Sequence, residues 1–232
     1  MSVHLHREIE KLKRRILALS AIVEESVRRS IRSVEERDGP LAQRVIKTDL
    51  EIDQTEIDVE EECLKMLALH QPVAIDLRFI VAVLKINNDL ERIGDMAVNI
   101  AERAVFLNTQ TKFDIPFRLR GMAEKAQAML HRALDALVNL NSSLALEVCA
   151  ADDEVDDHYR AMFEQVVAEI QSNPQDAECL INLLSVSRYL ERIADHATNI
   201  AEDVIYMIEG AIVRHGAKDF KPHTGEEHRG KQ

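Results

Sequence analysis

The chain has 232 residues, of which 46% are hydrophobic and 30% charged, while glycine (7), proline (5) and aromatic residues (4%) are scarce. Such a composition is typical of long, well-packed helices. The formal net charge of −12 argues against binding to nucleic acid or to anionic lipid, because both need a basic surface.

Three long helices are predicted in the first half of the chain. Apolar residues recur at steps of three and four over residues 4–36, which indicates an amphipathic helix that ends at Asp38–Pro40. A proline is tolerated in the first turn of a helix, so a second helix is predicted over residues 40–70. Gln71–Pro72 ends this helix, and a third one follows to about Leu107.

The second half of the chain repeats this plan. The segment LERIGDMAVNIAE, Leu90–Glu102, recurs as LERIADHATNIAE, Leu190–Glu202, with ten of thirteen positions identical. Polar residues 108–114 lie between the two halves and are predicted to form a linker. The duplication predicts an all-α fold of two tandem three-helix bundles related by pseudo-two-fold symmetry.

The predicted boundaries follow from the repeat. The first three-helix repeat is expected to span residues 1–109 and the second residues 110–215. Residues 216–232 contain almost nothing apolar to bury and are expected to be a disordered tail.

The chain is predicted to be cytoplasmic and to reach the inner membrane only through partners. Its N-terminus has no apolar signal core, and no window approaches the ~18 apolar residues of a membrane span. The three cysteines are widely spaced and are expected to be buried thiols in a reducing compartment. They are Cys63, Cys149 and Cys179.

The third helix of each repeat carries a narrow stripe of oxygen-bearing side chains. At 100° per residue, the members of a stripe project within about 80° of one another and away from the apolar face. The stripes are Glu91, Asp95, Asn99 and Glu102 in the first repeat and Glu191, Asp195, Asn199 and Glu202 in the second.

The second helix of each repeat adds carboxylates to this pattern. In the first repeat these are Asp49, Asp53, Glu56 and Glu60. The second repeat keeps Asp152 and Asp156 but has Tyr159 and Phe163 at the positions of the two glutamates. We therefore expect two related sites that are not equal.

The acidic stripes are either solvated helix faces or a cation site. Like charges one turn apart destabilise a helix by ~0.2–0.5 kcal/mol per pair, and the stripe positions contain no counter-charge. The duplication nevertheless preserved them as strictly as the apolar positions. Oxygen ligands on two neighbouring helices suit Mg²⁺, Mn²⁺, Ca²⁺ or iron, whereas zinc prefers Cys and His.

Three segments of the chain resemble motifs of the PhoU family of phosphate-signalling regulators, and they occur in the order in which that family has them. They are the doubled LERI(G/A)D…NIAE, HQPVAIDLR at His70–Arg78, and VIYMIEGAIVRH at Val204–His215. The resemblance implies a homodimeric regulator that restrains a phosphate ABC transporter when phosphate is plentiful. It also implies that a PhoR-type sensor histidine kinase is kept from activating the phosphate regulon.

The resemblance also assigns the metal motif. Some members bind metal ions through E-x-x-x-D motifs, which correspond here to Glu91 and Asp95 and to Glu191 and Asp195. The other stripe residues and the aspartates of the second helices are candidates from geometry alone.

Other functions fit the residues less well. A di-iron carboxylate enzyme uses Glu-x-x-His, and none of the nine histidines has an acidic residue three positions before it. Neither His131 nor His158 lies in a sequence that marks a phosphotransfer module, and no glycine-rich phosphate loop is present. We expect no enzymatic activity, and a metal-binding scaffold without a role in phosphate remains the alternative.

Overall fold

The computed structural model describes residues 3–110 and 119–213, which form six α-helices, one short 3₁₀ turn at Pro174–Asp176 and no β-strand. The predicted all-α fold with two three-helix units is confirmed. The predicted tail, residues 216–232, lies outside the described residues. The helices are α1 (Val3–Glu35), α2 (Gly39–His70), α3 (Ala74–Thr109), α4 (Leu119–Asn139), α5 (Ser142–Ser172) and α6 (Ala177–Glu209).

The same capping device starts the second helix of each repeat. The Asp38 side chain accepts a hydrogen bond of 2.8 Å from the Leu41 N–H at the start of α2. Asn141 accepts the equivalent bond of 3.0 Å from the Leu144 N–H at the start of α5. An Asp or Asn at this position satisfies an N–H that has no partner within the helix, so the two turns are kept at the same place in both repeats.

The third helices, α3 and α6, form the centre of the molecule. Helix α3 packs on α1, α2 and α6, and helix α6 packs on α4, α5 and α3. The buried apolar side chains of both halves form one continuous core. The two predicted bundles are therefore joined along their third helices rather than separate.

Polar contacts show how α3 and α6 are oriented. Lys85 Nζ lies 2.8 Å from Asp203 Oδ1, and further along α3 the Arg103 guanidinium donates to Asn182 at 3.3 Å. Residue numbers therefore rise along α3 while those of its partners fall along α6. The helices are antiparallel, as they would be if a pseudo-two-fold axis perpendicular to them related the two repeats.

The predicted burial of the cysteines is confirmed, since Cys63, Cys149 and Cys179 are free thiols within the core. Within the two described ranges, no helix is both long and apolar enough to cross a membrane.

A leucine at the centre of the molecule should matter far more than an exposed one. Leu90 is fully buried, so Leu90→Ala should lower the free energy of unfolding by about 2–5 kcal/mol through lost apolar contact and a cavity. Leu50 on α2 is 76% exposed, and Leu50→Ala should change it by less than about 0.5 kcal/mol. Urea unfolding of both variants measures the difference, and equal losses would contradict the central position of α3.

Candidate metal centre in two carboxylate clusters

The predicted acidic residues gather where the second and third helices of each repeat touch. We define the first carboxylate cluster as Asp49, Asp53 and Glu56 of α2 with Glu91 and Asp95 of α3. The second carboxylate cluster is Asp152 and Asp156 of α5 with Glu191 and Asp195 of α6. Each pair of helices contributes side chains one turn apart, because i and i+4 positions share a helix face.

The second carboxylate cluster has the geometry of a cation site. One carboxylate oxygen from each of Asp156, Glu191 and Asp195 lies within 4.8 Å of the other two. Ligand oxygens held about 2.0–2.6 Å from one hard cation are separated by distances of this order. Glu191 is only 9% exposed, whereas Asp195 is open to solvent. The trio thus has a buried side and a side from which an ion can enter.

Burial and like charge disturb the titration of this cluster. Desolvation, followed by the charges of Asp195 and Asp156, raises the pKa of Asp152 to about 6. The pKa values of Glu191 and Asp195 are also raised, again by desolvation and then by a neighbouring aspartate. These shifts indicate that the folded protein destabilises the anionic form of the carboxyls, which a bound cation would reverse.

One oxygen of Glu191 supports this interpretation directly. Its Oε2 is buried and accepts no hydrogen bond from any described residue, while its Oε1 accepts from Arg188 at 2.6 Å. A buried carboxylate oxygen without a donor is costly. The donor set therefore fits a cation with oxygen ligands.

The first carboxylate cluster has the same electrostatic features but a looser arrangement. Desolvation and neighbouring carboxylates raise the pKa values of Asp49, Glu56 and Glu91. Asp49 Oδ1 and Glu91 Oε2 are buried and have no hydrogen-bond donor in the described part of the chain. Within residues 3–110 and 119–213, however, the close oxygen trio occurs only in the second cluster.

Arginines beside the stripes provide more counter-charge than the sequence indicated. Arg92 lies 3.5 Å from Glu91 and 3.6 Å from Asp95, and Arg160 lies 3.6 Å from Asp156. The stripe positions themselves contain no basic residue, as the sequence indicated, but these arginines at neighbouring positions of the same helices pair with the stripe carboxylates. Their spacing of one, three or four residues from the carboxylates was the available signal.

The remaining stripe residues have their contacts elsewhere. Asn99 Nδ2 donates to the Asp95 carbonyl at 2.8 Å, and Asn199 Nδ2 donates to Asp89 of α3 at 3.2 Å. Glu102 is exposed, and Glu202 lines a cavity of about 500 Å³ between α3 and α6. The structure does not bring these four into the close trio, and their role as ligands stays a prediction.

Several polar residues that the sequence did not single out hold the clusters in place. Thr198 donates to Asp152 at 3.3 Å, and Asn87, which is 1% exposed, donates to Glu56 Oε1 at 3.1 Å. His196 Nδ1 lies 2.8 Å from Asp89 of α3. The close trio of the second cluster consists of carboxylates alone, as a hard cation prefers.

Asp152→Asn should stabilise the metal-free protein at neutral pH. The folded-state pKa, about 6, exceeds the ordinary value of 3.8, so the carboxylate destabilises the fold progressively as pH rises between these values. The free energy of unfolding of the variant should exceed that of the wild type by about 1 kcal/mol at pH 7.5, allowing for solvent screening, and by almost nothing near pH 4.

Melting curves recorded in EDTA at both pH values test this prediction. Glu164→Gln, on the exposed face of α5, is the control. An equal gain in stability at the two pH values would contradict the prediction.

Comparison with known proteins identifies the family of this fold. The PhoU domain matches twice, at residues 16–104 and 119–204. The phosphate-specific transport system accessory protein PhoU homolog of Pseudomonas aeruginosa is 37% identical over 216 residues, covering 93% of this chain and 89% of that protein. The corresponding homolog of Aquifex aeolicus is 36% identical, covering 91% and 96%.

Solved structures agree with this match. The crystal structure of PhoU from P. aeruginosa superimposes with a TM-score of 0.86 at 36% identity, covering 89% of this chain and 99% of that one. The phosphate transport system regulatory protein PhoU from Streptococcus pneumoniae gives 0.81 at 27% identity, covering 90% and 99%. With both repeats matched and the whole helical core superimposed, the chain belongs to the PhoU family.

Proposed function

We propose that this protein is a cytoplasmic negative regulator of phosphate uptake and of the phosphate-starvation response. It acts by binding the phosphate ABC transporter and a PhoR-type sensor histidine kinase, and it works as a homodimer. The observation that carries the proposal is the match of both repeats to the PhoU domain, together with relatives that are named accessory proteins of phosphate-specific transport.

The proposal gives the carboxylate clusters a role in cation binding rather than in catalysis. Desolvation and repulsion by neighbouring aspartates raise the pKa of Asp152 because both destabilise its anionic form. A bound cation would stabilise the anionic form and so offset both effects. The ion is Mg²⁺, Mn²⁺, Ca²⁺ or iron, held in the second repeat by Asp156, Glu191 and Asp195. In the first repeat, Glu91 and Asp95 are the corresponding ligands.

The proposed ion links chemistry to helix geometry. Each cluster spans two helices, so a cation between them offsets the repulsion of the carboxylates and holds α2 on α3 and α5 on α6. The outer surfaces of these helices would then be presented to partners in a defined arrangement. Under this proposal the protein acts through the arrangement of its helices, which partners bind, and it catalyses no chemical reaction.

Replacing the corresponding aspartate in each cluster, Asp95 or Asp195, should reduce the number of metal ions that the protein binds. Asp195→Asn removes a member of the close oxygen trio and should abolish the tighter binding event, while Asp95→Asn should remove the weaker one. Metal analysis after dialysis against each candidate ion measures the stoichiometry. An ion at 100 times its dissociation constant should also stabilise the wild type by about 2.7 kcal/mol.

The control for this experiment is Glu164→Gln, because Glu164 is an exposed carboxylate of α5 that lies outside the cluster. It should retain the metal content and the stabilisation of the wild type. Unchanged metal content in Asp195→Asn, or no stoichiometric ion in the wild type, would refute the metal part of the proposal.

The regulatory role is tested in the organism by deleting the gene. In phosphate-rich medium the deletion should raise alkaline phosphatase activity and phosphate uptake, because both restraints are lost, and the wild-type gene should reverse the change. A deletion strain with unchanged phosphatase and uptake would favour the scaffold alternative. If the double variant Asp95→Asn, Asp195→Asn loses its metal but still restores repression, the ion has no regulatory role.

A further inference from the structure

The motif HQPVAIDLR at His70–Arg78 takes no part in the carboxylate clusters, and its surroundings form a second distinctive surface. It makes the turn from α2 into α3 and lies beside the C-terminal end of α6. A groove of about 370 Å³ opens there, between α1, α3, α6 and the connection from α4 to α5. Its apolar lining consists of Ile9, Ile75, Phe79, Leu140, Met207 and Ile208.

The groove and its rim expose large apolar side chains. Val73 is 75% exposed and Ile75 68%, and Leu140 on the opposite side is 50% exposed. A second hollow of about 90 Å³ shares Phe79 and Leu140 with the groove and extends the apolar surface along α1. Contiguous apolar surface in a concave setting marks an interaction site, unlike single exposed leucines.

Arg78 supplies a polar group that lacks a partner in this groove. Its Nε is buried and donates to no acceptor among the described residues. The guanidinium packs against Gly210, where any side chain would collide with Arg78 Nη1, and this glycine has a φ of +72°. The side chain as a whole is only half-buried, so its outer N–H groups, rather than the enclosed Nε, can donate to an anionic oxygen of a partner.

The start of α3 adds to the positive potential. Val73 occupies the N-cap position and provides no side-chain hydrogen bond, so the positive end of the helix dipole faces this end of the molecule. Asp76 in the first turn offsets part of this potential, and the Asp76 N–H donates to the Val73 carbonyl at 3.2 Å. Lys13 Nζ forms an ion pair with Glu10 Oε1 at 2.8 Å and lies 5.6 Å from the centre of the Phe79 ring. Asp76 is the one carboxylate in the lining.

We propose that this groove binds an acidic amphipathic helix of a partner protein. The apolar side chains of that helix lie on Ile75, Phe79 and Leu140, and a glutamate or aspartate beside them accepts hydrogen bonds from Arg78. This is helix-in-groove recognition with one charge-assisted contact that fixes the register. The surface is separate from the carboxylate clusters and extends beyond the proposed function, since it specifies the chemistry of a partner.

Two other occupants fit the groove less well. A second copy bound through the same surface would bring Arg78 of each subunit, and the positive end of each α3, towards its equivalent. A bilayer surface is flat and would leave the floor of a concave groove unfilled. An acidic helix satisfies the unpaired guanidinium and the apolar lining together.

Fluorescence polarisation with the full-length protein tests the proposal. The probe is a labelled helical peptide of about 18 residues, with leucines at i, i+4 and i+7 and glutamates beside them. It should bind saturably and at least about tenfold more tightly than the same peptide with lysine for glutamate. Arg78→Gln and Ile75→Ser should each weaken binding by about fivefold or more.

Leu50→Ser is the matched control, because Leu50 is as exposed as Ile75 but lies on α2, away from the groove. It should bind the peptide like the wild type, and all variants should keep the wild-type melting temperature. No saturable binding, equal binding of the two peptides, or equal weakening by Leu50→Ser would overturn the proposal. Loss of binding to anionic vesicles, but not to peptide, in Ile75→Ser would assign the groove to a membrane surface instead.

Discussion

The burial of α3 against α6 is the contact on which the rest of this structure depends. Each third helix must bury apolar side chains towards two helices of its own repeat and towards the other third helix. Leu90 and its copy Leu190 are therefore both fully buried. Polar residues of these helices lie at the remaining borders, either between α3 and α6, as Lys85 and Asp203 do, or beside α2 and α5. Stripe carboxylates at the border with α2 or α5 therefore meet the carboxylates of the second helix.

Carboxylates that face each other across two helices repel one another, and the two repeats reduce this repulsion in different ways. In the first repeat Glu56 is held by the buried Asn87, and more carboxylates are present. In the second repeat Tyr159 stands at the position of Glu56, and its ring lies 5.4 Å from the Arg188 guanidinium that binds Glu191. One aromatic replacement therefore removes a negative charge and positions a cation. The result is a compact oxygen trio in the second repeat and a looser cluster in the first.

The charge distribution divides the molecule into two kinds of surface. The net charge of −12 is concentrated in part at the helix borders, where carboxylates face each other across two helices. At the turn into α3, by contrast, Arg78 and an uncapped helix start lie among exposed apolar side chains. An acidic chain thus has at this turn a small apolar surface that carries the Arg78 guanidinium. Substitutions can therefore test the proposed cation binding and the proposed partner binding separately.

The local sequence pattern determined the number of helices and the position of the acidic stripes. The 3.6-residue periodicity, the Asp38–Pro40 and Gln71–Pro72 breaks and the repeated LERI segments predicted six helices in two copies, because these signals act within a few residues. The stripe pattern likewise placed Glu191 and Asp195 on one face. Only the tertiary structure decided that both copies share one core, that Asp156 joins the trio, that Asn199 turns to Asp89, and that Arg78 lacks an acceptor. These depend on which helices touch and at what register, and contacts between residues far apart in sequence leave no periodic signal in the chain.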